Sequence, residues 1–174
     1  FTIVVNQIKN GKEISLSAKS ASFKLWNEEL RKYSQTMENR EYWENINKQL
    51  DNAKSLNMQE DENEAEEFNF TFSKDISSKL INEVNKKYST RINEVLITAI
   101  GLAAGKLAAG SVGIMVESHG RTPLPKPVSI ERTVGWFTSC YPVIVNNNGI
   151  IADELINTKE TLRRIPRNGI EYLL

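Results

Sequence analysis

Residues 95–121 read VLITAIGLAAGKLAAGSVGIMVESHGR, and this stretch decides the fold class. It opens with the most apolar region of the chain. Gly101, Gly105, Lys106, Gly110 and Gly113 interrupt that region too often for a membrane span, so it reads as a buried helix running into a strand. Asn93 is placed to cap the helix, and the Ala and Gly content between Ala99 and Gly110 lets another element approach its backbone closely. Val112 to Val116 then forms a short strand. It breaks at Glu117-Ser118-His119-Gly120-Arg121 into a proline-rich loop, Pro123 to Pro127.

Upstream, Ser73 offers a cap for a helix through Tyr88 with Leu80, Ile81, Val84 and Tyr88 as its apolar stripe. Before it, Phe68, Phe70 and Phe72 alternate with Asn69 and Thr71, the period of a half-buried strand. Asp51 to Glu67 is acidic and aperiodic, and predicts a long mobile loop. Two amphipathic helices precede it, Phe23 to Tyr33 capped by Ser22, and Glu38 to Leu50. Downstream, Trp136 to Val145 reads as a second strand and Ile151 to Arg164 as a helix closed by Pro166. The class is therefore α/β or α+β, long helices laid against a sheet, with parallel or antiparallel pairing left open.

Lys+Arg and Asp+Glu both number 22, so no global field favours nucleic acid or an anionic membrane. The one cysteine, Cys140, excludes an internal disulfide framework and a multi-cysteine metal site, and suits a reducing cytoplasm. Phe1 to Asn6 is a short β-branched run without the features of a signal peptide, and a soluble protein is expected. Apolar β-like residues at both ends suggest cuts through a larger structure.

Glu117, the only histidine His119, and Arg121 could supply a base, a shuttle and an anion clamp at a strand end. The same residues also fit a structural role, with Arg121 pairing with Glu117 to tie down the loop. In an extended segment Glu117 and His119 share a face. The second cluster is Arg132-Thr-Val-Gly-Trp-Phe-Thr-Ser-Cys-Tyr-Pro-Val143, whose aromatic density suits core packing and whose Tyr141, Thr138 and Ser139 offer hydroxyls. Cys140 has no basic neighbour in sequence to lower its pKa, which favours a buried inert thiol. Lys159, Arg163, Arg164 and Arg167 form a basic face suited to a solvated helix C-terminus. No dinucleotide, phosphate-loop or metal-ligand motif occurs.

The two clusters together resemble the epimerization branch of the condensation-domain superfamily of nonribosomal peptide synthetases. Glu117, His119, Gly120 and Arg121 match the family's Glu-Gly-His-Gly-Arg-Glu motif, with departures at Ser118 and Thr122. Arg132 to Val143 reproduces its Arg-Thr-Val-Gly-Trp-Phe-Thr-x-x-Tyr-Pro-Val motif in full. Asn93 to Ala99 and Pro166 to Tyr172 resemble two further family segments, the latter departing at Glu171.

The resemblance implies a chloramphenicol-acetyltransferase-like fold with a mixed β-sheet and packed helices, residues 1–174 forming one C-terminal lobe. It implies a substrate carried as an aminoacyl or peptidyl thioester on the phosphopantetheine of a peptidyl carrier protein, inverted at its α-carbon, with no tightly bound cofactor. Glu117 would be one acid/base group and Tyr141 would shape the site or steady an enolate, with His119, Arg121, Arg132, Trp136 and Thr138 in support. The opposite-face group would come from the family's His-His-x-x-x-Asp-Gly motif. This sequence has no His-His pair, so that group is expected upstream, in an N-terminal lobe of the same domain. A fragment of this kind is expected to be inactive by itself and to self-associate through its exposed lobe surface. A degenerate carrier-docking domain and an amide-forming condensation domain remain as alternatives.

Overall fold

The computed structural model describes residues 1–54, 56 and 67–174. Most of the expected 51–67 loop lies outside the described residues, although Asp51 and Asn52 belong to the preceding helix. Contacts divide the chain into two compact units, residues 1–36 with 121–137, and residues 37–120 with 138–174.

The first unit holds α1 (Thr2–Lys9) and α2 (Phe23–Ser34), joined by the excursion 121–137. The β-branched start is helical rather than extended. An α-helix satisfies its own backbone, as in Val5 N–H to Phe1 O at 3.1 Å, and needs no partner strand. Ser22 caps α2 as expected, its Oγ accepting Leu25 N–H at 3.1 Å. Trp26, Tyr33, Leu124, Ile130 and Phe137 are buried. Phe137 is met edge-on by Phe23 and Trp26 at 5.1 and 5.8 Å. Glu29, also buried, pairs with Lys32 at 2.8 Å and Lys126 at 3.4 Å, and the Lys32 ammonium holds its carboxyl below the usual range.

The second unit contains α3 (Arg40–Asn52), α4 (Lys74–Ser78), a π-helical segment Lys79–Val84, α5 (Asn85–Tyr88), α6 (Ile92–Ala108), β1 (Val112–Ser118), β2 (Ser139–Val145), α7 (Ile151–Arg164) and a 3₁₀ turn Pro166–Gly169. β1 and β2 pair antiparallel, with Val116 opposite Tyr141 and Glu117 opposite Cys140. The α/β class expected from the sequence holds, its sheet being this antiparallel pair. Trp43 and Ile46 of α3 bury against Tyr141 and Val143 of β2, with Ile97, Val116 and Leu162 packed on the cluster.

Several elements differ from expectation: α3 runs Arg40–Asn52 rather than Glu38 to Leu50, and β1 continues to Ser118 instead of breaking at Glu117, because Glu117 and Ser118 still pair with Cys140 and Ser139. The residues Phe68, Phe70 and Phe72 form no strand among the described residues. All three are exposed and pair with no ladder among the described residues, the rings of Phe70 and Phe72 meeting edge-on at 5.0 Å. Alternation records side-chain direction, and a strand also needs a neighbour to bond. β2 starts at Ser139 rather than Trp136, because Phe137 is built into the first unit's core. The helix α6 starts after Arg91, not Asn93: the Glu94 carboxylate accepts the Arg91 backbone N–H at 2.8 Å and stops the first turn two residues earlier. As the Ala and Gly content implied, α6 meets β2 closely. A side chain at Gly101 would overlap Val145.

Candidate active site

The strand β1 alternates, so Val112, Ile114 and Val116 turn inward while Met115 and Glu117 are exposed. At its C-terminal end the second unit opens a cavity of about 580 Å³. Val116, Glu117, Ser118 and His119 form one wall, Tyr141 another, and the N-terminus of α6, the end of α7 and Asn168 complete it. Glu117 and His119 are exposed at the cavity, as their shared face predicted, whereas Tyr141 is buried. Burial pushes the Tyr141 phenol up from its ordinary value, so at neutral pH it is a hydrogen-bond donor. Cys140, opposite Glu117, is half-buried rather than fully enclosed.

Around the rim, Glu94 is fixed from two sides. Its Oε2 caps α6, and its Oε1 accepts Arg163 Nε at 3.2 Å. Arg163 also donates to the Ser89 carbonyl, and Lys159 donates to the Tyr88 carbonyl at 3.2 Å. The basic face is therefore tied into its own unit at these two residues and at Arg167, which pairs with Glu171 at 3.5 Å and Glu38 at 3.6 Å. Arg164 is exposed.

Of the supporting residues expected from the sequence, His119 lines the cavity and four do not. Arg121 belongs to the first unit, where it donates to the carbonyls of Ile130 at 2.6 Å and Thr133 at 2.9 Å and lies 4.2 Å over the Phe137 ring. Arg132 reaches the Ala18 carbonyl at 3.4 Å, and Trp136 is 82% exposed; both are in the first unit. Thr138 is exposed just before β2. Sequence reasoning passed over Glu94, Asn168 and Leu162 as site residues. Only the pairing of Glu94 with the backbone ahead of it carries a signal, the acidic third residue of a helix.

The family model for the condensation domain matches residues 1–173. The chain belongs to the condensation-domain family. This condensation-family chain is 35% identical over 176 residues to gramicidin S synthase 1 of Brevibacillus brevis, covering 95% of the chain and 16% of that protein. It is 34% identical over 193 residues to bacitracin synthase 2 of Bacillus licheniformis, covering 99% of the chain and 7% of that protein. Among solved structures, the epimerization domain from the third module of tyrocidine synthetase B superposes with TM-score 0.70 at 29% identity, over 98% of this chain and 41% of that one. The first condensation domain of the calcium-dependent antibiotic synthetase superposes with TM-score 0.68 at 12% identity, over 97% of this chain and 38% of that one. The fold is thus the chloramphenicol-acetyltransferase-like one of condensation and epimerization domains, and the condensation-family chain spans well under half of each relative. No described helix is long and apolar enough to cross a membrane.

Proposed function

We propose that this condensation-family chain is the C-terminal lobe of an epimerization domain that inverts the α-carbon of an aminoacyl or peptidyl thioester on a carrier protein's phosphopantetheine. The observation that carries the reading is Glu117, exposed at the end of β1 on a cavity that Tyr141 also lines. The twelve residues from Arg132 to Val143, which resemble the epimerization pattern in full, favour this reading over amide formation.

The chemistry needs two proton-transfer groups and a donor. Glu117 takes the α-proton, the C–H electron pair moves into the thioester carbonyl as an enolate, and a donor such as the Tyr141 hydroxyl steadies the oxygen. A second acid on the opposite face, supplied by the domain's histidine-motif lobe outside this chain, returns a proton to carbon and leaves the inverted centre. Glu117 is restored when it passes its proton on to solvent. Arg121 and Arg132 brace the loop 121–137 within the first unit by bonds to backbone carbonyls.

The test is loss of α-deuterium to water from aminoacyl-phosphopantetheinyl carrier protein with the intact domain. Exchange in the wild type, reduced by on the order of 10²-fold or more in Glu117→Gln, is the expected result. Dipeptide formed from two loaded carriers without exchange assigns amide condensation instead. Neither product leaves a carrier-docking role, the reading that the off-pattern Ser118 and Thr122 would favour.

A further inference from the structure

Glu171 stands where the resembled motif has glycine, and its side chain is buried, only 1% exposed. A carboxylate taken out of water needs partners; two groups donate hydrogen bonds to it and a guanidinium pairs with it. Asn39 Nδ2 donates to Oε1 at 3.0 Å, the Trp43 indole N–H donates to Oε2 at 3.1 Å, and Arg167 Nε lies 3.5 Å from Oε1. The first two come from the start of α3 and the residue before it, so Glu171 ties α3 to the chain's last segment.

Both arms of that tie end on Tyr141. Trp43 packs beside the Tyr141 ring at 6.5 Å between centroids, within one buried cluster. On the other arm, Arg167, Asn168 and Gly169 are three successive left-handed residues, with φ of 45°, 50° and 75°. The first two lack glycine's tolerance for that region, so surrounding contacts must over-determine the turn. Glu171 supplies one of them through Arg167, and Ser139 Oγ supplies another by donating to the Asn168 carbonyl at 3.2 Å. The turn in turn presses on the tyrosine. A side chain at Gly169 would fall inside the Tyr141 ring, and Asn168 lines the same cavity as Glu117.

We infer that Glu171 is a positioning residue for Tyr141, clamping its ring between Trp43 and the Arg167–Gly169 turn at the wall of the cavity that Glu117 also lines. The inference rests on the proposed epimerase reading for its consequence in rate, but the clamp itself is independent of it. Glu171→Gln keeps the shape and removes the charge. Its amide nitrogen would face a donor, either the Trp43 indole or the Asn39 amide, and one hydrogen bond is lost.

The experiment uses the intact domain with tyrosines labelled at Cζ with ¹³C, the Tyr141 signal being assigned by its disappearance in Tyr141→Phe. In Glu171→Gln the Tyr141 titration moves down toward the ordinary phenol value as the released ring gains water. With carrier protein loaded in turn with α-deuterated alanine, leucine, valine and phenylalanine, kcat for exchange falls by roughly tenfold at unchanged KM, the mark of lost orientation. In the Tyr141→Phe background Glu171→Gln has no further effect on kcat. Trp43→Phe removes the same hydrogen bond from its other end, and it reports on the titration if Glu171→Gln does not fold. An unmoved Tyr141 titration with a lowered melting temperature overturns the inference and leaves Glu171 a packing residue. A moved titration in a domain whose wild type exchanges no deuterium from any of the four carriers removes the epimerase reading and leaves the clamp standing.

Discussion

Tyr141 is the residue on which burial and chemistry pull in different directions. Its phenol is pushed above the ordinary 10.0 by burial, and Tyr42 is pushed the same way by burial first and the nearby Tyr141 second. A raised folded pKa means that the unfolded chain loses its protons first as pH climbs. Stability contributed by these two groups is therefore complete below about pH 10 and is lost as pH rises from there toward their folded values. Urea unfolding between pH 8 and 11 should show this alkaline loss, and Tyr141→Phe should flatten it. The sequence singled out Glu117 and Tyr141 because both sit in motifs with specific residue patterns, and both line one cavity. It could not assign Arg121, which two neighbours in sequence from His119 leaves β1 entirely and spends its guanidinium on the Ile130 and Thr133 carbonyls. Glu171 was visible only as an irregularity, since a carboxylate's burial depends on donors from Asn39 and Trp43, far away in sequence.

At the scale of elements, capping chemistry was the most readable signal. Ser22 and Ser73 each cap the helix expected of them, by Oγ bonds to Leu25 N–H and Ile76 N–H at 3.1 and 3.3 Å. Ser22→Ala should cost about 1 kcal/mol of unfolding free energy by urea titration, with Ser22→Asp recovering most of it. The close approach of α6 to β2 gives a sharper expectation. Gly101→Ala places a methyl group against the Val145 side chain, at the foot of a strand that is buried nearly throughout. It should destabilise by about 1–3 kcal/mol although alanine is the better helix former. A gain in stability would mean that β2 yields where the packing says it cannot. The phenylalanines at 68, 70 and 72 show the opposite limit of local reading. Their alternation fits the period of a strand, but whether a segment becomes a strand is decided by a neighbour, and no local pattern names one.

Over the whole molecule, apolar surface is distributed unlike that of a self-sufficient globule. The helix α6, which the sequence reads as buried, leaves Leu96, Ile100 and Leu107 exposed, and Met115 stands out from β1. Light scattering on the 174-residue chain should show mass rising with concentration, reduced when Ile100 and Leu107 are replaced by lysine. A monomer at every concentration would contradict this. The path of the chain carries a different consequence. β1 and β2 are neighbours in one ladder, but between them residues 121–137 leave to join the other unit before the second strand begins. A tight hairpin turn would dictate which residue faces which, and this connection cannot. Only the fit of Val112, Ile114 and Val116 against Val145, Val143 and Tyr141 fixes the alignment. A slip of one residue would turn Glu117 toward the packed interior and set Val116 on the exposed face in its place. The outward placement of Glu117, the acid/base group proposed above, is thus held by hydrophobic registration, and a defect at Val143 would disturb it with every acid, base and hydroxyl still present in the sequence.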